Sequence, residues 1–187
     1  MSILDIRVLG DPVLRKPTVR VNEVTDELRT LIADMFETMY AAEGIGLAAP
    51  QVGRTERVAV VDVEGQKFAL INPEIVETEM PLEKAEEGCL SIPDIYGDIE
   101  RPTRVTIRFI DESGNEREET GIALLGRCFQ HEIDHLDGKL FIDYLSPLKR
   151  RAALAKWEKA KDEYPGNIRK VRTEPAGAHN DPDVAEM

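Results

Sequence analysis

The order of its elements predicts an α+β fold. Short β-rich runs come in pairs joined by turn residues, helical stretches lie between them, and regular strand–helix–strand alternation is missing. Residues 25–42 read as the first helix, with Thr25 as N-cap and Leu28, Leu31, Ile32, Met35 and Met39 at helical spacing before Gly44 stops it. Residues 57–63 and 67–71 are β-rich and flank Glu64-Gly65, a hairpin signal. Asn72-Pro73 is expected to break the second of these strands. Residues 74–87 hold six glutamates and no helical stripe, which reads as strand and exposed loop. Residues 103–110 alternate as a strand, Ser113-Gly114-Asn115 turns the chain, and 116–121 returns. Residues 122–136 read as a second helix stopped at Gly138, and 139–145 as a short apolar strand or turn. A last helix spans 147–163, with Pro147 near its start and Pro165 beyond its end.

The 187 residues are one domain's worth with a tail, 42% apolar and 32% charged, an ordinary globular composition. No apolar run approaches the roughly 20 residues that span a bilayer, so no membrane contact is expected. The start, Met-Ser-Ile-Leu-Asp-Ile-Arg, lacks the basic-then-apolar pattern of a secretory signal. The two cysteines cannot build a disulfide scaffold, and reduced thiols in a cytoplasmic protein are expected. A net charge of −12 argues against a generic DNA or RNA binder. The charge is uneven: residues 1–145 carry 15 basic and 29 acidic side chains, whereas 146–163 carry six basic and three acidic. A catalytic domain over 1–163 and a loosely packed tail over 164–187, rich in Pro, Gly and Ala, are expected.

His131-Glu132-Ile133-Asp134-His135 is an H-E-x-x-H sequence inside the second predicted helix. Histidines at i and i+4 share one helical face, so both imidazoles can reach one metal ion. The glutamate beside the first histidine is then placed to take a proton from water at the metal. The bland alternative is a helix with two surface histidines. It is weakened because the chain has only three histidines and two fall at this spacing.

A catalytic site of this type takes three protein ligands and keeps one position open. His179 is the remaining histidine and lies in the tail. Cys89 sits in Glu87-Gly88-Cys89-Leu90-Ser91-Ile92-Pro93 and offers a thiolate. Its alternative is a small buried hydrophobe. Cys128 competes, but three residues before His131 on the same helix it would have to reach the metal from above the histidine pair, so Cys89 is favoured. Gly44-Ile45-Gly46-Leu47-Ala48-Ala49-Pro50-Gln51 offers bare backbone for another chain to approach, or simply a helix stop and a turn. It lacks the Gly-Lys-Ser/Thr ending of a phosphate loop.

Gly44 to Gln51, Glu87 to Pro93 and Gln130 to Leu136, in this order, resemble the three signature motifs of the peptide deformylase family, and the similarity extends over about residues 3–160. The resemblance implies antiparallel sheets wrapped around the helix bearing the two histidines, with a further C-terminal helix. It implies a metallohydrolase that removes the formyl group from the formylmethionine of newly made proteins. By resemblance the metal ligands are Cys89, His131 and His135 and the general base and acid is Glu132. Gln51 and the backbone N–H of Leu90 stabilise the oxyanion. The implied cofactor is one divalent ion, Fe2+ natively, with Zn2+, Ni2+ or Co2+ possible for this donor set. The partners are N-formylmethionyl nascent peptides and, since some members dock by a C-terminal helix, the ribosome through the basic helix 147–163.

The substrate is expected to lie extended against Ile45 and Gly88, where Gly44, Gly46 and Gly88 leave backbone bare for strand addition. Its methionine side chain is expected in an apolar pocket built partly by Ile45, Leu124 and Cys128. Glu87 and Arg101 are either support for the metal ligands or a solvated surface pair. Arg127, four residues before His131, shares the metal-facing side of the helix, or is a long stem with its head in water; Asp134 reads as a helix-surface acid; and the alternative to docking for the last helix is that Leu148, Leu154 and Trp157 simply pack on the domain. Two other classes fit these residues less well. A generic H-E-x-x-H peptidase lacks a downstream third His or Glu and leaves Gly44–Gln51 unexplained. A metal-binding protein without catalysis has nothing in its favour, since Gln51, Cys89, His131, Glu132 and His135 are all present.

Overall fold

The computed structural model describes residues 2–171. Its principal elements run β1 (Ile6–Arg7), α1 (Asp26–Ala41), β2 (Gly46–Ala48), β3 (Val58–Val63), β4 (Gln66–Cys89), β5 (Ile92–Ile110), β6 (Glu116–Ile122), α2 (Ala123–Leu136), α3 (Pro147–Ala160) and β7 (Ile168–Arg169). β2 to β6 form one antiparallel sheet in sequence order, and β1 pairs with β7 in a second, two-stranded sheet. This is the predicted α+β class.

α1 begins where the cap residue places it: the Thr25 hydroxyl accepts the Leu28 N–H at 3.2 Å. Its apolar stripe, Leu28, Leu31, Ile32, Met35 and Met39, is buried with Leu47 of β2 and Val58 and Val60 of β3. Each such side chain contributes about 1.5–3 kcal/mol relative to an exposed one. β3 and β4 are joined by Glu64 (φ 53°) and Gly65 (φ 80°), the paired positive dihedrals that a tight hairpin turn of this hand requires.

Asn72-Pro73 bends the strand and does not end it. Asn72 takes φ 52° and the register to β5 shifts between Ile71 and Glu74, a bulge where a proline without an N–H is tolerated. The Asn72 side chain closes the bend on the backbone of Val21, accepting from its N–H and donating to its carbonyl, each at 2.8 Å. Residues 74–87, expected to be partly loop, therefore continue β4 and pair with β5 down to the turn after Cys89. The glutamates there are tolerated because most of that stretch is exposed.

α2 touches β2, β3, β5 and β6, so the bent sheet surrounds it, and Leu125, Cys128, Phe129 and Ile133 meet Val61, Val105 and Ile107 in one buried cluster. Residues 139–145 form a 3-10 turn, Phe141–Tyr144, and not a strand. α3 is capped by Ser146, whose side chain accepts the Lys149 N–H. It buries only Trp157; Leu148 is 80% exposed and Leu154 is largely at the surface, so the expected packed face shrinks to one residue.

Residues 164–171, the first part of the expected tail, make defined contacts with the domain. Tyr164 stacks on Trp157 with ring centroids 5.7 Å apart, the Val8 N–H donates to the Asn167 carbonyl at 3.0 Å, and Arg169 pairs with Ile6. Val171 packs against the α1 cluster. These contacts bind 164–171 to the domain despite their Pro and Gly content. The rest of the expected tail, 172–187 with His179, lies outside the described residues.

Candidate active site

The site sits where the β4–β5 turn meets the second half of α2. β4 ends at Cys89 and β5 starts at Ile92, leaving Leu90-Ser91 as a two-residue turn with Cys89 paired to Ile92. α2 presents His131 and His135 one turn apart on the same side, both buried. Cys89 Sγ lies 3.3 Å from His135 Nε2, and the two Nε2 atoms are 3.2 Å apart. The three donor atoms all lie within 4.8 Å of one another. A tetrahedral ion of the zinc type, with bonds of about 2.05 Å to nitrogen and 2.3 Å to sulfur, would hold its ligands about 3.3–3.6 Å apart. The triangle fits such an ion.

The donors are prepared for one. His131 Nδ1 is 2.9 Å from Glu87 Oε1, and donation along that contact leaves Nε2 as a bare lone pair. Burial holds the His135 pKa well below its usual value, so its ring is neutral. Glu132 is fully buried and neither of its carboxylate oxygens has a hydrogen-bond partner among the described residues. A buried carboxyl with no protein partner beside these donors suits a group that works on bound water or substrate. Burial, reinforced by the charges of Asp134 and Glu87, pushes its pKa well above the usual carboxylate range.

Gln51 enters from the 3-10 turn Ala49–Val52 that follows β2. Its carbonyl oxygen accepts the Ala48 N–H at 2.8 Å, which turns its amide nitrogen toward Ser91 Oγ (3.2 Å) and Cys89 Sγ (3.7 Å). Gly46 lies against Glu132: a Cβ built there would meet Glu132 Oε1 at 2.4 Å and Cys128 Sγ at 2.9 Å. Cys128 is thus on the Gly46 side of the helix, with Sγ 3.7 Å from the Ile45 carbonyl, and outside the convergent donor triangle. Burial raises its thiol pKa well above the ordinary value, keeping it protonated.

A family profile described as polypeptide deformylase matches residues 3–151. A peptide deformylase of Alkalilimnicola ehrlichii is 52% identical over 163 residues, covering 85% of this chain and 91% of that protein.

The chain belongs to the polypeptide deformylase family.

Solved deformylases share its fold. A crystal structure of a peptide deformylase from Legionella pneumophila matches with a TM-score of 0.82 at 46% identity, over 87% of this chain and 97% of that one. Another from Synechococcus elongatus, in complex with actinonin, matches with a TM-score of 0.79 at 47% identity, over 90% and 91% of the two chains.

Beneath the donor triangle lies a largely buried charged quartet, of which the sequence marks only part. Glu87 takes a bidentate fork from Arg101, at 2.7 and 2.9 Å, and a third bond from Arg127 Nη1 at 2.8 Å. Arg101 also donates to Asp134 Oδ2 at 2.9 Å, and Tyr144 donates to Asp134 Oδ1 at 2.9 Å. Two arginines and two acids leave the quartet neutral. Burial would raise the Glu87 pKa, but the hydrogen bond from His131 and the hydrogen bonds and charge of Arg101 win and hold it far below the usual carboxylate range. The Glu87–Arg101 pair is therefore buried support and not a surface pair. Arg127 is no snorkelling stem: its head is buried and also donates to the carbonyls of Ile99 and Glu83. Asp134 is a fixed partner and not a free surface acid. The signal for Arg127 was its place four residues before His131, a charge on the buried face of a helix. Nothing in the local sequence marked Asp134 or Ser91.

Of the expected substrate contacts, Ile45, Gly46 and Cys128 come together beside Glu132. Gly88 directly precedes Cys89 in β4, and Gly44 closes the end of α1 through its N–H to the Met39 carbonyl. Leu124 lies one turn before Cys128 on α2 and is 38% exposed.

Proposed function

We propose that this chain is a divalent-metal hydrolase that removes the N-formyl group from the N-terminal formylmethionine of newly made proteins and releases formate. The observation that carries the reading is the convergence of Cys89 Sγ, His131 Nε2 and His135 Nε2 beside a buried Glu132 with no partner for its carboxylate. A divalent ion held by these three residues, Fe2+ by family resemblance and Zn2+, Ni2+ or Co2+ by the same donor chemistry, supplies Lewis acidity and lowers the pKa of water toward ~7.

The remaining steps belong to the protein. Glu132, next to His131 and buried without a protein partner, takes the proton of the attacking water and returns it to the departing amine. Attack on the formyl carbon creates an oxyanion. Gln51 Nε2 and the Leu90 N–H donate to it, each worth about 3–4 kcal/mol by comparison with other oxyanion holes. The peptide lies extended between Ile45 and Gly88, pairing through backbone, and its methionine side chain enters the apolar wall of Ile45, Leu124 and Cys128. Fixing the scissile amide this way removes the entropy of bringing it to the water.

Among the described residues no helix is long and apolar enough to cross a membrane. Nascent formylated chains as substrate place the work in the cytoplasm. The basic helix α3 leaves Leu148 exposed among Lys149, Arg150 and Arg151, a surface suited to docking on the ribosome.

The deciding experiment measures formate released from formyl-Met-Ala-Ser by anaerobically purified, metal-analysed protein. Rapid formate release with no cleavage of internal peptide bonds is expected. Cleavage of internal bonds, or no formate from metal-replete protein, would overturn the assignment.

A further inference from the structure

The turn that carries Leu90 is held from outside by Leu9, just after β1, and by Arg169 of β7. Leu90-Ser91 closes the β4–β5 hairpin, so the hairpin ladder leaves the carbonyls of these two residues unpaired. The Ser91 carbonyl accepts the Leu9 N–H at 2.9 Å, just after β1. The Leu90 carbonyl accepts Arg169 Nη1 at 3.0 Å, from β7. Ser91 Oγ is tied to Gln51, the other proposed oxyanion donor. β1 and β7 pair with each other, Ile6 with Arg169 and Arg7 with Ile168, and brace the turn as one unit. Arg169 lies well beyond residue 151, where the family match ends.

We propose that Arg169 is a positioning residue for deformylation: from the C-terminal strand it holds the Leu90 carbonyl and thereby fixes the direction in which the Leu90 N–H meets the developing oxyanion. The inference rests on the Leu90 assignment above. The Leu90 N–H belongs to the Cys89–Leu90 peptide, so its direction changes when the turn tilts as a unit about its Cys89 and Ile92 ends. The bond from Arg169 to the Leu90 carbonyl opposes that tilt, and a donor turned away from its acceptor by tens of degrees loses most of its bond. The Cys89 side chain stays where its strand pairing to Ile92 puts it, so the change falls on the turn and not on the donor triangle.

The test uses the full, metal-loaded chain with formyl-Met-Ala-Ser as substrate. Arg169→Met is expected to lower kcat about 10-fold, less than the ~10²–10³-fold of losing an oxyanion donor outright. KM, metal content and the thermal midpoint should stay where they were, and Arg169→Lys should recover most of kcat. An unchanged kcat in Arg169→Met would overturn the proposal. So would a fall in kcat matched by lost metal or a lowered midpoint, which would mark the strand as a structural closure only. A semisynthetic protein with an ester in place of the Leu90 amide separates the two claims. If the ester keeps full kcat, the Leu90 assignment fails, and this inference with it. If the ester is impaired, Arg169→Met should add nothing in that background, and a full additional loss would show that Arg169 acts elsewhere.

Discussion

Gly46 shows how little room single residues leave at this centre. Its hydrogen occupies the place where any side chain would strike the Glu132 carboxylate and the Cys128 thiol. Gly46→Ala should displace Glu132 by a fraction of an ångström to an ångström and lower kcat by about 10- to 100-fold, since misplacement on that scale carries such a cost. The three-ligand metal content should not change. Steady-state kinetics with metal analysis would check it, and full activity would refute the contact. Glu132→Gln should likewise keep its metal and lose turnover by ~10²–10⁴-fold, because it neighbours the ligands without being one. Cys89→Ala should lose the metal, measured by elemental analysis after gel filtration, whereas Cys128→Ala should keep it. Equal content in the two variants would reverse the ligand assignment.

At the scale of elements, one buried carboxylate ties α2 to the β4–β5 ribbon beside the donor triangle. Glu87 faces His131 on one side and two arginines on the other, so the ribbon that supplies Cys89 is locked in register with the helix that supplies both histidines. Removing Arg127 would strand part of that buried charge. Arg127→Met should cost about 3 kcal/mol of stability in chemical denaturation, the usual penalty for breaking a buried ion pair from one side. It should also weaken metal retention under a competing chelator. A variant as stable as the parent would mean that Arg101 alone satisfies Glu87.

At the scale of the whole molecule, a chain of net charge −12 gathers positive side chains on one helix at its edge. Some of them are engaged: Lys149 with Asp98, Arg150 with Asp143, Lys156 with the Asp94 carbonyl and Lys161 with Glu158. Screening confines repulsion from the acidic body to about 8 Å at physiological salt, so the helix can still meet phosphate. Replacing Arg151 and Lys159 by Gln should leave formate release from short peptides unchanged and weaken salt-sensitive co-sedimentation with ribosomes. Substitution is preferred to truncation here, because a cut before β7 would also remove its pairing with β1 and the Arg169 bond to the Leu90 carbonyl. Unchanged co-sedimentation, or none from the intact protein at low salt, would leave α3 a structural helix anchored by Trp157.

What the sequence determined by itself was local. Helical spacing and a cap residue placed α1, Glu64-Gly65 placed its hairpin, and His131 to His135 on one helical turn named a metal face, because each depends on neighbours a few residues apart. Cys89 was legible because few residue types can ligate a metal and the chain offers few of them. Tertiary structure decided the rest, where the partner lies far along the chain. It carried β4 through Asn72-Pro73 by pairing the asparagine with Val21, 51 residues away. It buried Arg127 against Glu87, 40 residues away, and made Asp134 a partner of Arg101. It also took a Pro- and Gly-rich segment that composition marks as loose and bound it at Arg169 to a carbonyl 79 residues earlier. Composition reports how much apolar area a segment can bury on its own, but a short strand needs only an unpaired backbone edge to dock against, and that edge exists only once the fold has formed.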